Sequence, residues 1–413
     1  MTEAKRIAVI GGGAAGMMAA GYLASLGASV VLYERNRKTG AKLLITGKGR
    51  CNVTNACDIP SFIHNVMRNP RFLYTALSRF SPEDTMAFFE SRGVPLKVER
   101  GNRVFPVSDK SADIVMALRT YLTEEGVRTV YARVKAIEKQ NDGFSVITEE
   151  RRVPFDAVIV ATGGKSYQKT GSTGDGYQFA RAFGHTVTPL TPSLVPLECE
   201  EAICRALQGL SLRNVGVRVF DEKGKTVYDD FGELMFTHFG ITGPTVLSMS
   251  AHLKHIGKEK YTVAIDLKPA LDEAMLDRRL LSDFSKYHNR NFDNSLHDLL
   301  PQKLIAPFVS LSGIPPFKKV NEITKEERKR LITLLKHFTL TVRRTRPLEE
   351  AIVTSGGVEV KEIDPKTMES KLCPGLFFAG EVIDVDAYTG GFNLQIAFST
   401  ARLAAEGALG IAW

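Results

Sequence analysis

Cysteine is scarce in this chain, and the few cysteines are poorly spaced for joint work. Cys51, Cys57, Cys199, Cys204 and Cys373 are an odd set, and no two stand in C-x-x-C spacing. That spacing excludes a disulfide framework and a cysteine-rich zinc site, so no metal is expected. It fits reduced thiols and a cytoplasmic location. No internal repeat and no low-complexity tract is present. Charge is missing from Ile7 to Tyr33. A hydropathy window would read that gap as a signal peptide or a membrane span. Gly11, Gly12, Gly13, Gly16, Gly21 and Gly27 interrupt it too often for a spanning helix. The stretch divides instead into a β-branched run, a glycine turn, an Ala-rich helix and a second β-branched run. We read it as strand–turn–helix–strand, buried in protein, and expect no membrane span.

The 413 residues suggest two or three domains. Hydrophobic residues at 44% and charged residues at 24% exclude a disordered chain, a collagen-like chain and a disulfide-stapled miniprotein. Lys and Arg outnumber Asp and Glu by 54 to 46, a net charge of +8. The surplus favours anionic partners: nucleotide cofactors, acidic substrates, nucleic acid or anionic lipid. It does not choose among them, and a merely basic surface is the plainer reading.

What is present begins with Arg6–Ile10, a short apolar strand. Residues Gly11 to Gly16 (GGGAAG) fit G-x-G-x-x-G. A helix runs on from Met17, and Ser29–Tyr33 is a second strand closed by Glu34. Gly11 permits the tight turn, Gly13 lets backbone approach a pyrophosphate, and Gly16 lets helix and strand pack closely. Ala14 and Ala15 open the helix, whose free N–H groups and partial positive charge suit phosphates. Glu34 stands where an acid accepts hydrogen bonds from a ribose diol. An acid there would also repel a 2′-phosphate. The alternative is a glycine turn in an α/β sheet that binds nothing.

Two later segments belong with this unit. Phe155 to Gly164 is a buried strand ending in the turn Ala161, Thr162, Gly163. Gly375 to Glu381 is a further strand, followed by Gly390, Gly391, Phe392, Asn393 and Leu394 opening a helix to about Ala408. Together the three segments resemble the two-dinucleotide-fold flavoproteins. That resemblance implies FAD rather than NAD. It implies that Gly380 and Glu381 contact the ribitol–pyrophosphate region, although many members carry Asp at that position. It also implies that the last helix points its N-terminus at the flavin's pyrimidine edge, where it would favour negative charge on the reduced ring.

A narrower likeness spans almost the whole chain in order. Gly40–Asn55 (GAKLLITGKGRCNVTN), Arg103–Lys110 (RVFPVSDK), Gly171–Gly176 (GSTGDG), Phe236–Pro244 (FTHFGITGP), Val353–Val358 (VTSGGV) and Gly380–Asp386 (GEVIDVD) resemble the HI0933-like flavoproteins, also called the BaiN family. The resemblance implies a bacterial flavoprotein oxidoreductase. One member type is linked to reduction of unsaturated bile-acid intermediates. It implies cofactor contacts from Arg35, Lys42, Gly49, Arg50, Cys51, Asn52 and Val134 as well. Thr173–Gly176 also resembles fumarate reductases and ketosteroid dehydrogenases, which move hydride between flavin N5 and a carbon–carbon bond beside a carbonyl.

The expected fold class is α/β: a Rossmann-like FAD-binding domain with an inserted β-barrel-like subdomain and a small helical subdomain. Residues 1–190 and 345–413 would form the discontinuous FAD domain. The insert starts at the proline-marked exit Pro189–Pro192. Its first part, 191–270 with 338–344, alternates β-branched and polar residues, with Gly224 at a hairpin tip. The part from 271 to 337 reads as helices over 272–286, 297–311 and 325–337. The insert has no second G-x-G-x-x-G, so NAD(P)H would bind transiently as electron donor.

Cys51 is the sharpest candidate for chemistry, because Lys48 and Arg50 would lower its thiol pKa. The plainer reading is a small buried filler, with Arg50 on a phosphate or a carbonyl. Pairing of Cys51 with Cys57 has no known redox spacing, and Cys199 and Cys204 read as ordinary insert cysteines. His238 is a candidate general acid, or else a structural histidine. Tyr388 and Tyr167 are candidates for a substrate carbonyl, or else pack on the cofactor. Arg103 would bind an anionic group, or pair on the surface. The basic run Arg328, Lys329, Arg330 is interleaved with leucines and reads as one solvated helix face.

The function expected is hydride transfer through flavin N5 with a small organic substrate. The specific form is reduction of a C=C bond conjugated to a carbonyl, with NAD(P)H as donor. The alternatives are a tRNA-modifying flavoprotein and a non-catalytic flavin-binding protein. No nucleic-acid partner is expected, since neither a paired-cysteine motif nor a dense basic domain is visible. Oligomeric state is open.

Overall fold

The computed structural model describes residues 4 to 411 apart from 254, 255 and 258. The chain forms two compact units. One comprises 1–193 with 347–413, and the other comprises 194–346.

The first unit is built on a five-stranded parallel sheet. Its strands run in the order Leu376–Phe378, Ala157–Val160, Arg6–Ile10, Ser29–Glu34, Arg128–Tyr131. Parallel strands are covered on both faces, so they read as continuous apolar runs rather than alternating ones. Ile7, Ala8 and Val9 are accordingly fully buried, as are Val158, Ile159 and Val160. The first helix, Ala14–Ser25, is apolar almost all round because it too is enclosed. The last helix, Phe392–Leu409, lies against it. Tyr22 donates to Glu406 at 3.0 Å, and Lys5 reaches the Ala408 carbonyl at 2.6 Å. The charge-free stretch Ile7–Tyr33 is therefore mostly core, with only the turn around Ser25–Gly27 and Ser29 exposed. No helix among the described residues is long and apolar enough to cross a membrane.

Two glycines set these distances. A Cβ on Gly16 would lie 1.7 Å from the Gly11 carbonyl oxygen, and one on Gly21 would lie 2.4 Å from the Tyr121 ring. Only hydrogen at those positions lets the helix sit so close to the strand and to its neighbour.

The second unit is a closed six-stranded barrel with helices. Its strands run Leu197–Cys199, Gly240–Thr242, Thr226–Phe236, Ser211–Phe220, Tyr261–Asp266, Phe338–Thr345 and back to the first. Gly224 (φ 78°) turns the long hairpin as its position between two lysines suggests. The helices Glu273–Lys286, Gln302–Ser312 and Lys325–Lys336 do not make a core of their own. Leu280, Phe308 and Leu335 share one apolar cluster with the barrel residues Val217, Val263 and Leu340. The middle helix starts at Gln302 rather than at 297. Pro301 stands just outside it at the N-cap position, where a missing N–H costs no helical hydrogen bond.

Prolines 189 and 192 do not mark the exit from the first unit. Thr191–Ser193 still pairs with Val353–Ser355 as a two-stranded antiparallel ribbon. The chain leaves after Ser193 and returns at Pro347.

Candidate functional site

The glycine turn has one tight side and one open side. Gly11 (φ 108°) turns the chain, and a Cβ there would sit 2.6 Å from the Ala161 carbonyl oxygen. The turn is thus wedged against the end of strand Ala157–Val160. Around Gly13 no atom lies within 4 Å of a Cβ position. Gly13 caps the first helix with no side-chain cap, and the first turn holds no acid. The N–H groups around Ala14 and Ala15 therefore face an open cradle with the positive end of the helix behind them. That combination fits a pyrophosphate.

Glu34 is buried, and its two oxygens take backbone N–H groups from Gly12 at 2.8 Å and Asn36 at 2.7 Å. Burial pushes its carboxyl upward, with the two backbone donors opposing. Its first job is to order the glycine turn. Each oxygen keeps acceptor capacity for a ribose hydroxyl. Arg35 departs from the expectation, because its guanidinium goes to Thr173 and to Asp175 at 3.2 Å. Asp175 also takes Arg133 at 3.0 Å. Arg35 thus ties the second strand to the GDG turn. Val134 is buried just beyond the edge strand.

Lys42 and Glu381 form the next group. Lys42 Nζ donates to Glu381 at 2.7 Å and to Ser166 Oγ at 2.7 Å. Glu381 also accepts the Thr354 N–H at 2.9 Å. Gly164 is forced by this cluster, since a Cβ there would lie 2.7 Å from Glu381 Oε1. A Cβ on Gly380 (φ 75°) would lie 2.9 Å from the Ala15 Cβ, beside the mouth of the first helix. Close by, Thr162 Oγ1 and Tyr177 OH are buried without a hydrogen-bond partner. Burial drives the Tyr177 phenol far above its usual range. Ser166, Thr354 and Tyr177 escaped sequence reasoning. The only signal for Tyr177 was its place after the GDG turn.

The last helix opens at Gly391 (φ 99°), with no side-chain cap and no acid in its first turn. Strand Thr54–Asn55 clamps this mouth. Asn55 donates to the Gly390 carbonyl at 3.0 Å, and a Cβ on Gly391 would lie 2.2 Å from the Thr54 oxygen. Asn393 is spent on the preceding loop, donating to the Ala387 carbonyl at 2.7 Å and accepting the Ala387 N–H at 3.0 Å. Phe392 packs edge-on against Phe62 at 5.0 Å, and Leu394 lies on the core. Asn52 Oδ1 is a third buried acceptor without a partner, and Gly49 (φ 84°) stands in open space.

Two candidates are corrected. Cys51 is fully buried, and burial pushes its thiol up to about 12, against a weak hydrogen bond from Thr46. Lys48 and Arg50 do not activate it. Arg50 turns away to Glu99 and Asp109 and stacks 4.1 Å over Phe105. Its guanidinium is engaged by these two carboxylates, and the buried Cys51 side chain leaves the candidates for chemistry.

The remaining candidates fall in different units. Tyr388 is half-buried in the first unit, two residues before Gly390, its N–H on the Asn65 carbonyl at 3.1 Å. Tyr167 (φ 51°) is half-buried after the middle turn. Arg103 is exposed and bonds the Arg100 carbonyl. His238 is exposed on the barrel loop between Thr226–Phe236 and Gly240–Thr242, beside the Phe239 ring.

Two uncapped helix mouths, an open glycine cradle, a buried acid at the second strand and three orphaned buried polar groups fit an FAD molecule. The fold and this donor set define an FAD-binding Rossmann flavoprotein of the oxidoreductase class. The chain belongs to the HI0933-like family, whose Rossmann-domain model matches residues 5–407. It is 34% identical over 411 residues to a 3-dehydro-bile acid delta(4,6)-reductase of Clostridium scindens, covering 98% of each chain. It is also 34% identical over 409 residues to a ribosomal RNA dihydrouridine synthase of Haemophilus influenzae, covering 97% of this chain and 98% of that one. In fold it is similar to the 3-ketosteroid-delta4-(5alpha)-dehydrogenase of Rhodococcus jostii RHA1. The TM-score is 0.54 at 15% identity, over 99% of this chain and 98% of that one.

Proposed function

We propose that this protein reduces a carbon–carbon double bond conjugated to a carbonyl, using FAD and a transiently bound NAD(P)H. The observation that carries this reading is the uncapped mouth of the last helix at Gly391, with Tyr388 three residues before it. Bound FAD would supply hydride chemistry that no side chain can perform. The chain's own residues do the rest. Gly11, Gly13 and the N–H groups from Ala14 to Gly16 receive the pyrophosphate, and Glu34 the ribose. Lys42, Thr162, Gly163 and Glu381 line the middle of the cofactor. The first turn of the last helix, Phe392 to Leu394, favours negative charge at its mouth. Tyr388 is the proposed proton donor to the substrate, with His238 the second candidate.

The two relatives named above support the reaction type. A delta(4,6) bile acid with a 3-oxo group carries double bonds conjugated to that carbonyl. Uracil's C5=C6 bond is likewise conjugated to its C4 carbonyl. A specific observation favours the RNA reading as a second one: the 194–346 unit carries 24 Lys and Arg against 19 Asp and Glu. A small substrate remains the first reading, because no dense basic patch marks the sequence.

The test is anaerobic stopped-flow spectroscopy with NADH, then NADPH. The reduced protein is next mixed with a 3-oxo-delta-4 steroid or with unmodified ribosomal RNA. Bleaching by a nicotinamide and reoxidation by the steroid supports the first reading. Reoxidation by RNA alone, weakening steeply with salt, supports the second. A protein reduced only by dithionite would overturn the nicotinamide donor. Failure of every conjugated acceptor to reoxidise it would overturn the reaction itself.

A further inference from the structure

His185 is a buried histidine that no step of the proposed reaction uses. It follows the helix Asp175–Ala182 and is 3% exposed, yet both ring nitrogens have partners. Nδ1 lies 3.1 Å from Glu362 Oε2, and Nε2 lies 2.7 Å from Ser370 Oγ. Glu362 also accepts the Thr186 N–H at 2.8 Å. The ring packs edge-on against Phe378 at 4.9 Å. Glu362 and Ser370 belong to the loop that precedes strand Leu376–Phe378, so His185 pins that loop to the helix end.

The hydrogen bonds decide where the ring proton sits. Ser370 Oγ accepts the Leu372 N–H at 3.1 Å and the Cys373 N–H at 2.8 Å. A hydroxyl has two lone pairs and one hydrogen. Both lone pairs are taken, so Ser370 donates to Nε2, and Nε2 is unprotonated. The ring proton is on Nδ1, donated to Glu362. The trio has the contacts of a Ser–His–Glu relay, but Ser370 is 3% exposed and its lone pairs are engaged. It is a tie rather than a nucleophile.

We propose that His185, Glu362 and Ser370 form an acid-sensitive latch that holds the loop 359–375 against the helix end. A second ring proton can enter only at Nε2. There it meets an oxygen with no free lone pair, and it strands the Ser370 hydrogen. Burial lowers the His185 pKa, against the pull of Glu362. Glu362 is the charged group that bonds the ring. Glu369 turns to the Gly375 N–H at 2.7 Å, Lys371 Nζ to the Lys361 carbonyl at 3.0 Å, and Glu359 to the Lys361 N–H at 3.3 Å. Burial pushes the Cys373 thiol up, so it stays neutral in acid. Arg181, on the helix itself, is exposed.

A histidine whose folded pKa lies below the unfolded ~6.5 stabilises the fold above that value. It loses the contribution as pH falls toward the folded value. The latch is therefore closed at neutral pH and opens in acid. Its loop leads through Phe378 to Gly380 and Glu381. Opening loosens that turn and speeds flavin release, a consequence that rests on the FAD reading.

The test is hydrogen exchange of the flavin-loaded protein from about pH 7.5 to about pH 5, with each rate divided by its intrinsic rate. The Ser370 and Lys371 N–H groups, bonded to the Leu376 and Glu362 carbonyls at 2.7 and 2.9 Å, report the latch. Their protection should fall about tenfold below pH ~6.5 while Ile7–Ile10 stays protected. His185→Gln keeps a neutral acceptor toward Ser370 and should flatten that fall. Wild-type protection that ignores pH, or that falls equally in Ile7–Ile10, overturns the latch. A folded variant with the same fall also overturns it. Flavin release, followed by fluorescence in the same buffers, should quicken over the same range. Unchanged release from an opened loop would overturn control of the cofactor turn. A protein that takes up no flavin would overturn the FAD reading, and exchange would still decide the latch.

Discussion

Lys42 donates a 2.7 Å hydrogen bond to Glu381 although 339 positions separate them in the chain. The pair joins the short helix Ala41–Ile45 to the turn at Gly380–Val382, with Ser166 and Thr354 bonded into the same cluster. Four segments far apart in sequence thus meet on one carboxylate. About a fifth of each side chain reaches solvent, so the pair is shielded enough to matter and open enough to meet a ligand.

Lys42→Met should leave Glu381 without its cation. The expected loss is about 1–3 kcal/mol of stability, the range for stranding a shielded acceptor. Flavin occupancy, read from the absorbance ratio of the purified protein, should fall as well. Unchanged occupancy with unchanged melting would remove the cluster from the site.

Gly13 and Gly16 should respond oppositely to alanine. Gly13→Ala meets no protein atom and has an ordinary φ, so apoprotein stability should stay within about 0.5 kcal/mol. FAD affinity should nevertheless drop in a fluorescence titration. Gly16→Ala drives a methyl into the Gly11 carbonyl and should cost at least the ~1–3 kcal/mol of overpacking, seen in apoprotein denaturation.

Cys51 should be inert in the native protein. With its thiol pushed up to about 12, iodoacetamide at mild alkaline pH should alkylate it only after unfolding. Cys51→Ala should keep flavin reduction within a few-fold of the parent. Rapid native labelling of Cys51 would refute the burial argument.

Asp386 should make stability pH-dependent in a particular direction. Its buried carboxylate accepts Ser193 Oγ at 2.9 Å and Ser355 Oγ at 3.0 Å, bridging the ribbon where the chain leaves and re-enters the first unit. Burial raises its folded pKa. An acid whose folded value lies above the unfolded ~3.9 contributes stability at low pH and loses it as pH rises through the folded value. Asp386→Asn should flatten that decline in urea unfolding measured from acid to neutral pH. An unaltered slope would assign the decline to another group.

Much of the first unit was legible because parallel strands and the glycine turn carry local rules. The run Ile7–Ile10 could only be a doubly buried strand, and Gly16 could only be a helix–strand contact. Glu34 was legible as the acid closing the second strand. Its double grip on Gly12 and Asn36 was not, because that bond depends on how the turn folds back. The protein partners of Arg35 and Arg50 were not legible, for one shared reason. A guanidinium's partner is chosen in three dimensions, and Asp175, Glu99 and Asp109 stand 140, 49 and 59 residues away. Cys51 looked activated because two cations flank it in sequence. The backbone at Cys51 (φ 59°) turns the thiol inward, away from both.

Sequence by itself determined the dinucleotide turn, the strand and helix periods, the hairpin at Gly224 and the family signature. Each rests on spacings of a few residues, where backbone geometry leaves little choice. Tertiary structure alone decided that barrel and helices share one core and that Thr54 and Asn55 clamp the mouth of the last helix. It alone set Lys42 against Glu381 and Arg35 against Asp175. Those pairings depend on which buried polar groups must find partners once the apolar surfaces have closed, and no local spacing encodes that.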